Sequence, residues 1–342
     1  MISFKNDYSE GAHPRILKTL VDTNMEQVEG YGLDRFCLEA IGLLRRSINR
    51  EDVDIHFISG GTQTNLISLS AFMRPHEAAV AAHSGHILVH ETGAIEATGH
   101  KVISVESPDG KLTPERITPA LDFHTDEHMV KPRLVYISNP TEVGTVYGRK
   151  ELEELHTFCK GHNLLLYVDG ARLGSALCAP GSDLDLEAMA ELTDAFYIGG
   201  TKCGALVGEA LVISNPSLKE DFRFHLKQKG ALLSKGRLMG IQFLELFRDG
   251  LYFDLARHAN RMADLLREAI TNAGYSFLAD SPSNQLFPIL PNRVVEKLQE
   301  GFDFYVWSKI DDNHSSIRLV TSWATSEEAV TAFIGNLRKH RC

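Results

Sequence analysis

Short apolar segments alternate with amphipathic ones between about residues 34 and 215, and this alternation constrains the fold more than any other feature. The apolar segments are rich in Val, Ile, Leu and aromatic residues, which is typical of buried strands. Between two of them, residues 148–163 place Leu152, Leu155 and Phe158 on one stripe of a helix that ends at Gly161. The pattern predicts an α/β domain in which helices cover both faces of a mostly parallel sheet. The predicted strands are 55–59, 101–105, 133–138, 164–168, 195–199 and 210–214.

The pattern changes after residue 215. Residues 217–272 are strongly helical in character, and strand-like segments follow at 287–290 (FPIL) and 316–323 (SIRLVTSW). Thr325 and Glu328 have the spacing of a capping box, which predicts that a last helix starts at Thr325. We therefore expect two domains: an N-terminal segment and a large domain at 1–245, and a small α+β domain at 246–342.

Charge and composition argue against several classes of protein. The chain has 35 basic and 45 acidic residues, and its net charge of −10 opposes binding to nucleic acid or anionic lipid. No segment reaches the roughly 18 apolar residues that cross a membrane, and no signal-peptide pattern opens the chain, so we expect a cytoplasmic protein. The cysteines are odd in number and form no CxxC pair, so we expect neither a disulfide framework nor a metal site. They are Cys37, Cys159, Cys178, Cys203 and Cys342.

The loops that follow strands are where open α/β sheets bind ligands. After the strand at 55–59, Gly60, Gly61, Thr62 and Gln63 lead into a helix, whose free N–H groups and positive end suit a phosphate. The segment is neither a P-loop nor a GxGxxG fingerprint. Taken alone, it is equally compatible with glycines in an ordinary strand-to-helix turn.

Two charged residues follow other predicted strands. Asp169 ends a nearly all-apolar strand, and a buried carboxylate there needs a cationic partner such as a protonated pyridinium nitrogen. The alternative is a turn cap or an ion pair with Arg172. Lys202 lies among small residues in a segment that otherwise reads as buried, and a desolvated lysine can form a Schiff base with an aldehyde cofactor. The alternative is a lysine that extends from a loop into solvent.

Histidines follow a further segment of the chain. His83 and His86 precede a helix that contains His90 and Glu91. A neutral imidazole can stack on a flat cofactor ring or transfer a proton near pH 7. Because the chain has 15 histidines, any single one is more often an ordinary polar residue.

These motifs follow one another in the order phosphate loop, histidine, Asp-Gly-Ala-Arg and Thr-Lys. In that order they resemble fold-type-I enzymes that depend on pyridoxal 5′-phosphate (PLP), and most closely the threonine aldolase and β-eliminating lyase family. The resemblance extends over nearly the whole chain, and the combination is specific although each motif alone is not. The motifs are Asn6-Asp7, 30–34 (GYGLD), 61–65 (GTQTN), His86 with Glu91, 169–172 (DGAR), Lys202, 237–241 (RLMGI) and 318–321 (RLVT).

The resemblance implies a role for each cofactor residue. The Gly-Thr-Gln loop would bind the phosphate, and His86 would stack on the pyridine ring. Asp169 would pair with the ring nitrogen, Lys202 would form the Schiff base, and Arg172 would also lie at the cofactor. The large domain would then have the fold of the aspartate aminotransferases.

The resemblance also implies substrate contacts and an assembly. Arg172 and Arg318 would bind the substrate carboxylate through bidentate hydrogen bonds. His128 would lie near the substrate hydroxyl, while Tyr31 and Arg237 would reach the site of a neighbouring subunit, Arg237 at the phosphate. A homodimer or homotetramer with shared active sites is therefore expected.

The chain departs from the family pattern in three places. The usual serine of the N-terminal segment, expected to bind the carboxylate, is Asn6 here. Where many members read Glu-Asn-Thr-His-Asn, residues 138–142 read Ser-Asn-Pro-Thr-Glu. The glycine-rich run before Arg237 is replaced by GALLSKG at 230–236. These changes affect the expected substrate more than the expected cofactor.

The reaction implied is cleavage of the Cα–Cβ bond of L-threonine, L-allo-threonine or a related β-hydroxy-α-amino acid into glycine and an aldehyde. The substrate amine would displace Lys202, and the base could be His86, His128 or a water. β-Elimination or racemisation on the same scaffold is the first alternative, because fold and cofactor do not decide between these reactions. A non-catalytic α/β module that binds a ligand or nucleotide is the second.

Overall fold

The fold was analysed in a computed structural model that describes residues 1–340, so Cys342 lies outside the described residues. The strands are β1 (Ile2–Ser3), β2 (Asp54–Ile58), β3 (Glu77–Ala82), β4 (Val102–Val105), β5 (Lys131–Ser138), β6 (Leu165–Asp169), β7 (Ala195–Gly199), β8 (Glu209–Ile213), β9 (Gln285–Leu286), β10 (Ile289–Pro291), β11 (Phe302–Asp303), β12 (Tyr305–Lys309) and β13 (His314–Val320). The helices are α1 (Pro14–Asp22), α2 (Arg35–Ile48), α3 (Gly61–Phe72), α4 (His86–Val89), α5 (Pro114–Phe123), α6 (Arg149–Gly161), α7 (Leu173–Leu177), α8 (Leu186–Leu192), α9 (Phe222–Gln228), α10 (Arg237–Phe247), α11 (Leu251–Asn272), α12 (Asn292–Gln299) and α13 (Glu327–Lys339).

Seven strands form the main sheet in the order β2-β8-β7-β6-β5-β3-β4. Only β8 runs antiparallel to its neighbours, so the predicted α/β class with a mostly parallel sheet is confirmed. All six predicted strands are present. Strand β3 was not predicted, because the sequence of this strand, EAAVAA, is rich in alanine, which has a low strand propensity.

Helices pack on both faces of this sheet, as predicted. Successive strand residues point to opposite faces, so Leu166 and Val168 contribute to one core while Leu165 and Tyr167 contribute to the other. Helices α2, α6, α8 and α10 pack into the first core, and α3 and α9 into the second. Among residues 1–340, no helix combines the length and the hydropathy that a membrane crossing requires.

A second lobe contains the antiparallel strands β9, β10, β12 and β13. Its core includes Phe4, Leu290, Ile317 and Phe333. Strand β1 pairs in parallel with β11, so the first residues of the chain pack with this lobe and not with the large sheet. Helix α11 contributes to the core of the large sheet at one end and to the core of the lobe at the other. The boundary between 245 and 246 stays a prediction.

The last helix begins later than predicted. Ser326, not Thr325, is its N-cap, because the Ser326 hydroxyl accepts a hydrogen bond from the Ala329 backbone N–H at 3.2 Å. The Thr325 hydroxyl instead accepts one from the Ser322 N–H at 2.7 Å. The prediction of a start at Thr325 was therefore wrong by two residues.

Helices α10 and α2 approach closely at Gly240, which yields a first prediction. A Cβ added at Gly240 would lie 2.5 Å from Cys37 Sγ and 2.6 Å from Cys37 N. Gly240→Ala should therefore lower the free energy of unfolding by about 1–3 kcal/mol, because backbone must move. Gly335→Ala in α13 meets no atom within 4 Å and should raise it by about 0.5–1 kcal/mol. Urea unfolding curves measure both, and equal effects would contradict the packing.

Candidate active site

The carboxyl ends of several main-sheet strands meet at one edge, where the candidate residues gather. Asp169 is the last residue of β6, and Lys202 lies just beyond the end of β7. Gly61 and His86 begin α3 and α4, which follow β2 and β3. The second lobe covers this edge and leaves a cavity of about 430 Å³. The cavity is lined by Tyr8, His86, His90, Glu142, Arg172, Lys202, Gln285, Tyr305, Val306, Trp307 and Arg318.

Lys202 presents a free amine to this cavity. Its Nζ has no hydrogen bond and no carboxylate within 4.0 Å in the described part of the chain. Burial, and then the positive charge of Arg172, lower the pKa of Lys202 below its ordinary value. The Lys202 amine is therefore unprotonated in a larger fraction of the molecules, and an unprotonated amine can attack a carbonyl carbon.

Asp169 is a buried carboxylate held by several donors. Its Oδ1 accepts hydrogen bonds from the Tyr197 hydroxyl at 2.5 Å and from a backbone N–H at 3.0 Å. Its Oδ2 accepts from the Tyr136 hydroxyl at 2.6 Å and from the Asn65 amide at 3.0 Å. Burial raises the pKa of Asp169, but the charge of His86 and these hydrogen bonds outweigh it and lower the pKa overall. The carboxylate therefore stays ionised and can stabilise a cation.

The same network orients His86. The Nδ1 of His86 lies 2.7 Å from Glu91 Oε1, and the Asn65 amide donates to both Glu91 Oε1 and Asp169 Oδ2, at 2.7 and 3.0 Å. Burial lowers the pKa of His86, but the hydrogen bond that its Nδ1–H donates to Glu91 and the charge of Asp169 raise the pKa overall. The imidazole is thus fixed in the cavity wall, with its Nε2 edge left for other contacts.

The start of α3 offers unpaired donors for an anion. The backbone N–H groups of Gly61, Thr62 and Gln63 donate to no acceptor in residues 1–340, since the first helical hydrogen bond is donated by the Thr64 N–H. The Gln63 side chain is not available, because it bonds to the Ser59 hydroxyl and to the Lys229 carbonyl. The loop therefore presents backbone N–H groups to an anion. The resemblance implies that Gln63 helps to bind the phosphate, but its side-chain amide is engaged elsewhere.

These groups fit PLP. The free amine of Lys202 suits the aldehyde carbon, the ionised Asp169 suits a protonated pyridine nitrogen, and the N–H groups at the start of α3 suit the phosphate. The fit rests on groups of the chain itself. The Lys202 amine and the N–H groups at the start of α3 have no hydrogen-bond partner in the described residues, and Asp169 is ionised.

The two arginines of the cavity differ in their partners. Arg172 forms a bidentate ion pair with Asp7, with Nε–Oδ2 and Nη2–Oδ1 distances of 2.6 and 3.0 Å. Asn284 also donates to Asp7, at 2.9 Å. The charge of Arg172 is thus largely balanced inside the protein, so it can contact a substrate without being the main source of positive charge.

Arg318 has no carboxylate partner in the described chain. Its Nη2 donates to Gln285 Oε1 at 2.6 Å, its Nε is buried without an acceptor, and its guanidinium lies 5.5 Å from the centre of the Trp307 ring. Burial, and then the charge of Arg172, lower the pKa of Arg318 to about 10. A buried cation without a counter-ion is costly, so a bound carboxylate would relieve it.

The structure does not bring four predicted residues to this cavity. His128 follows α5, and its side chain is 84% exposed beside Asp126. Within residues 1–340, the Asn6 side chain accepts hydrogen bonds only from the nearby Tyr8 N–H and Ser9 hydroxyl, and its neighbour Asp7 is the residue that reaches the site. Tyr31 is partly exposed elsewhere on the surface, and the Arg237 guanidinium donates to the carbonyls of Thr23 and Glu26.

Sequence reasoning missed several residues that the site uses. Tyr136 and Tyr197 have the character of ordinary strand residues. Each lies two residues before the carboxyl end of its strand, and this position was the available signal that they are close to the site. Asp7 and Glu142 were noted only as parts of motifs, yet Asp7 pairs with Arg172 and Glu142 lines the cavity. Trp307 and Gln285 come from the second lobe, and nothing local in the sequence marks them.

Comparison with known proteins decides the family. The sequence profile of the β-eliminating lyases matches residues 29–290. The chain belongs to the β-eliminating lyase family. This confirms the predicted family, the lyase class and the dependence on PLP.

Three known proteins are similar to this chain over almost its whole length. The low-specificity L-threonine aldolase of Pseudomonas aeruginosa is 32% identical over 340 residues, which covers 98% of this chain and 96% of that protein. The solved structure of a Leishmania major threonine aldolase is 50% identical, covers 100% of both chains and superimposes with a TM-score of 0.98. A Thermus thermophilus aspartate aminotransferase, 17% identical and covering 99% of this chain and 91% of its own, has a TM-score of 0.73 and confirms the fold-type-I architecture alone.

The Asp7–Arg172 ion pair yields a stability prediction. Both groups are buried, so Asp7→Asn leaves the guanidinium uncompensated and should lower the free energy of unfolding by on the order of 3 kcal/mol near neutral pH. Asp22→Asn breaks the exposed pair between Asp22 and Lys18 and should change it by less than about 0.5 kcal/mol. Urea unfolding of both variants measures the difference, and similar effects would show that burial of the pair is unimportant.

The pH dependence of this contribution has a definite sign. Burial raises the pKa of Asp7, but Arg172 outweighs it, so the pKa lies below its ordinary value of 3.8. The stabilisation is therefore complete above that value and is lost as the pH falls through the lower, folded-state pKa. The stability gap between the parent and Asp7→Asn should shrink only in that acidic range.

Proposed function

We propose that this chain cleaves L-threonine, L-allo-threonine or a related β-hydroxy-α-amino acid into glycine and an aldehyde, as a PLP-dependent aldehyde-lyase. The observation that carries the proposal is the presence, in one cavity, of a free buried amine at Lys202 and a guanidinium at Arg318 that has no carboxylate partner in the described chain. The first suits a cofactor aldehyde and the second suits an amino-acid carboxylate. The names of the Pseudomonas and Leishmania relatives support the same reaction.

The charged groups divide the chemistry between them. When bound at Lys202, PLP supplies an electron-poor ring that stabilises negative charge on the substrate α-carbon. Asp169 keeps a proton on the ring nitrogen, because the hydrogen bonds from Tyr136 and Tyr197 hold its own charge in place. His86 lies against this network and is the candidate for the ring contact.

Arg318 and Arg172 fix the substrate. A guanidinium that binds a carboxylate with two parallel hydrogen bonds holds it in one plane. Holding the carboxylate this way would restrict the orientations that the bonds of the substrate α-carbon can take towards PLP. Trp307 packs beside Arg318 and helps to exclude water from this contact.

Product analysis tests the function. Protein incubated with PLP and L-threonine should release acetaldehyde and glycine in equal amounts, whereas a 2-oxo acid with ammonia would show β-elimination.

Lys202→Ala should abolish glycine formation without unfolding the protein, because only the reactive amine is lost. Lys150→Ala, whose side chain is 88% exposed, is the matched control and should keep the parent rate. Borohydride reduction followed by peptide mass analysis should place the cofactor on Lys202.

Arg318→Lys separates substrate binding from cofactor binding. Lysine keeps the charge but loses the planar fork, so kcat/KM for L-threonine should fall by on the order of 10². The affinity of the apoprotein for PLP, measured by titration, should stay near that of the parent. Arg261→Lys in an exposed pair with Glu327 should alter neither quantity. Parallel loss of PLP affinity and activity would show that Arg318 has a different role.

Assembly and location belong to the same proposal. Tyr31 and Arg237 lie away from the cavity of their own chain, which favours a homodimer or homotetramer in which they reach a neighbouring site. Light scattering on the active protein tests this, and a fully active monomer would contradict it. The scattered cysteines favour the cytoplasm as its location.

A further inference from the structure

Glu142 is a carboxylate in the cavity wall that the proposed roles leave unused. It lies on the loop after β5, next to β6, whose last residue is Asp169. Its Oε1 accepts hydrogen bonds from the His86 backbone N–H at 3.0 Å and from the Ser138 hydroxyl at 2.7 Å. Its Oε2 has no hydrogen-bond partner in residues 1–340, although Glu142 lines the cavity. The carboxylate is thus anchored through one oxygen and free at the other.

The surroundings of Glu142 suit proton transfer. Burial, together with the negative charge of Asp169, raises the pKa of Glu142, while the Ser138 hydrogen bond and the charge of His86 oppose the rise. A carboxyl group with a raised pKa is a better proton acceptor than an ordinary exposed carboxylate. The other charged or titratable groups that its field reaches include Arg172, Tyr136 and Tyr147.

We propose that Glu142 accepts the β-hydroxyl proton of the substrate through Oε2, an assignment that rests on the proposed function. Glu142 belongs to residues 138–142, a segment in which this chain departs from the family pattern.

The proton and electron balance is complete without another reactant. The hydroxyl proton passes to Glu142 Oε2, and the O–H electron pair forms the second bond of the aldehyde C=O. The Cα–Cβ pair remains with the glycine half, which takes up one proton at the α-carbon. Returning the proton of Glu142 to solvent or to the product restores the ionised carboxylate.

The histidines of the region are less suitable for this step. The Nδ1 of His86 is engaged by Glu91, and its ring belongs to the network of Asp169. His90 lines the cavity, but no hydrogen bond in the described residues fixes its ring, and burial lowers its pKa. His128 is 84% exposed outside the cavity. Among the described residues that line the cavity, Glu142 alone combines two anchoring donors with a carboxylate oxygen that accepts no hydrogen bond.

The test compares Glu142→Gln with the parent on two substrates. Glutamine keeps the size and can still accept from Ser138 and His86, but it cannot take the proton. Cleavage of L-threonine should slow by about 10²–10⁴. Exchange of the α-proton of glycine with deuterium, followed by NMR, should stay within a few-fold of the parent because glycine has no β-hydroxyl. PLP affinity of the apoprotein and the thermal unfolding midpoint should also stay unchanged.

The controls separate this proposal from the function on which it rests. Glu106→Gln makes the same change on a side chain that is 91% exposed and should match the parent in every measurement. If the parent itself forms no glycine and aldehyde, the proposed function fails. If the parent is active and Glu142→Gln cleaves L-threonine at a similar rate, only the assignment of Glu142 fails. Loss of glycine exchange or PLP affinity along with cleavage, or a larger loss of cleavage in His90→Gln, also overturns it.

Discussion

The site depends on keeping one carboxylate ionised in a buried position. Asp169 ends the central strand β6, and desolvation alone would protonate it. The charge of His86 prevents this, together with hydrogen bonds from two tyrosine hydroxyls on the neighbouring strands β5 and β7 and from the Asn65 amide of α3. The sheet register that brings β5 and β7 to either side of β6 is therefore also what sets the charge of the cofactor site.

Around that fixed anion, the cavity carries an uneven distribution of positive charge. Arg172 is balanced by Asp7 and mainly shapes the site, whereas Arg318 is left for an incoming anion. Burial, and then the charge of Arg172, lower the pKa of Lys202. One electrostatic arrangement thus serves both the amine that binds the cofactor and the cation that binds the substrate.

Residues at the ends of strands were predictable from sequence, because the parallel-sheet pattern and the rule that ligands bind beyond strand ends together select Asp169 and Lys202. Contacts between distant segments were not. The pairing of Asp7 with Arg172 and the position of Glu142 depend on tertiary packing that no local pattern encodes. Strand β3 was not predicted because its alanine-rich sequence has a low strand propensity, and the implied place of His128 came from resemblance alone.

The pairing of β1 with β11 bears on the order in which the enzyme can be completed during synthesis. Ile2–Ser3 are synthesised well before their partners Phe302–Asp303. Asp7, a few residues after β1, must wait for Asn284 and for the lobe that carries Arg318. The strands of the large sheet lie between β2 and β8, so this sheet can form before β11 is made. The lobe that covers the cavity is complete only when β1 has paired with β11. A nascent chain that ends before β11 would therefore be partly folded and would lack a complete cavity.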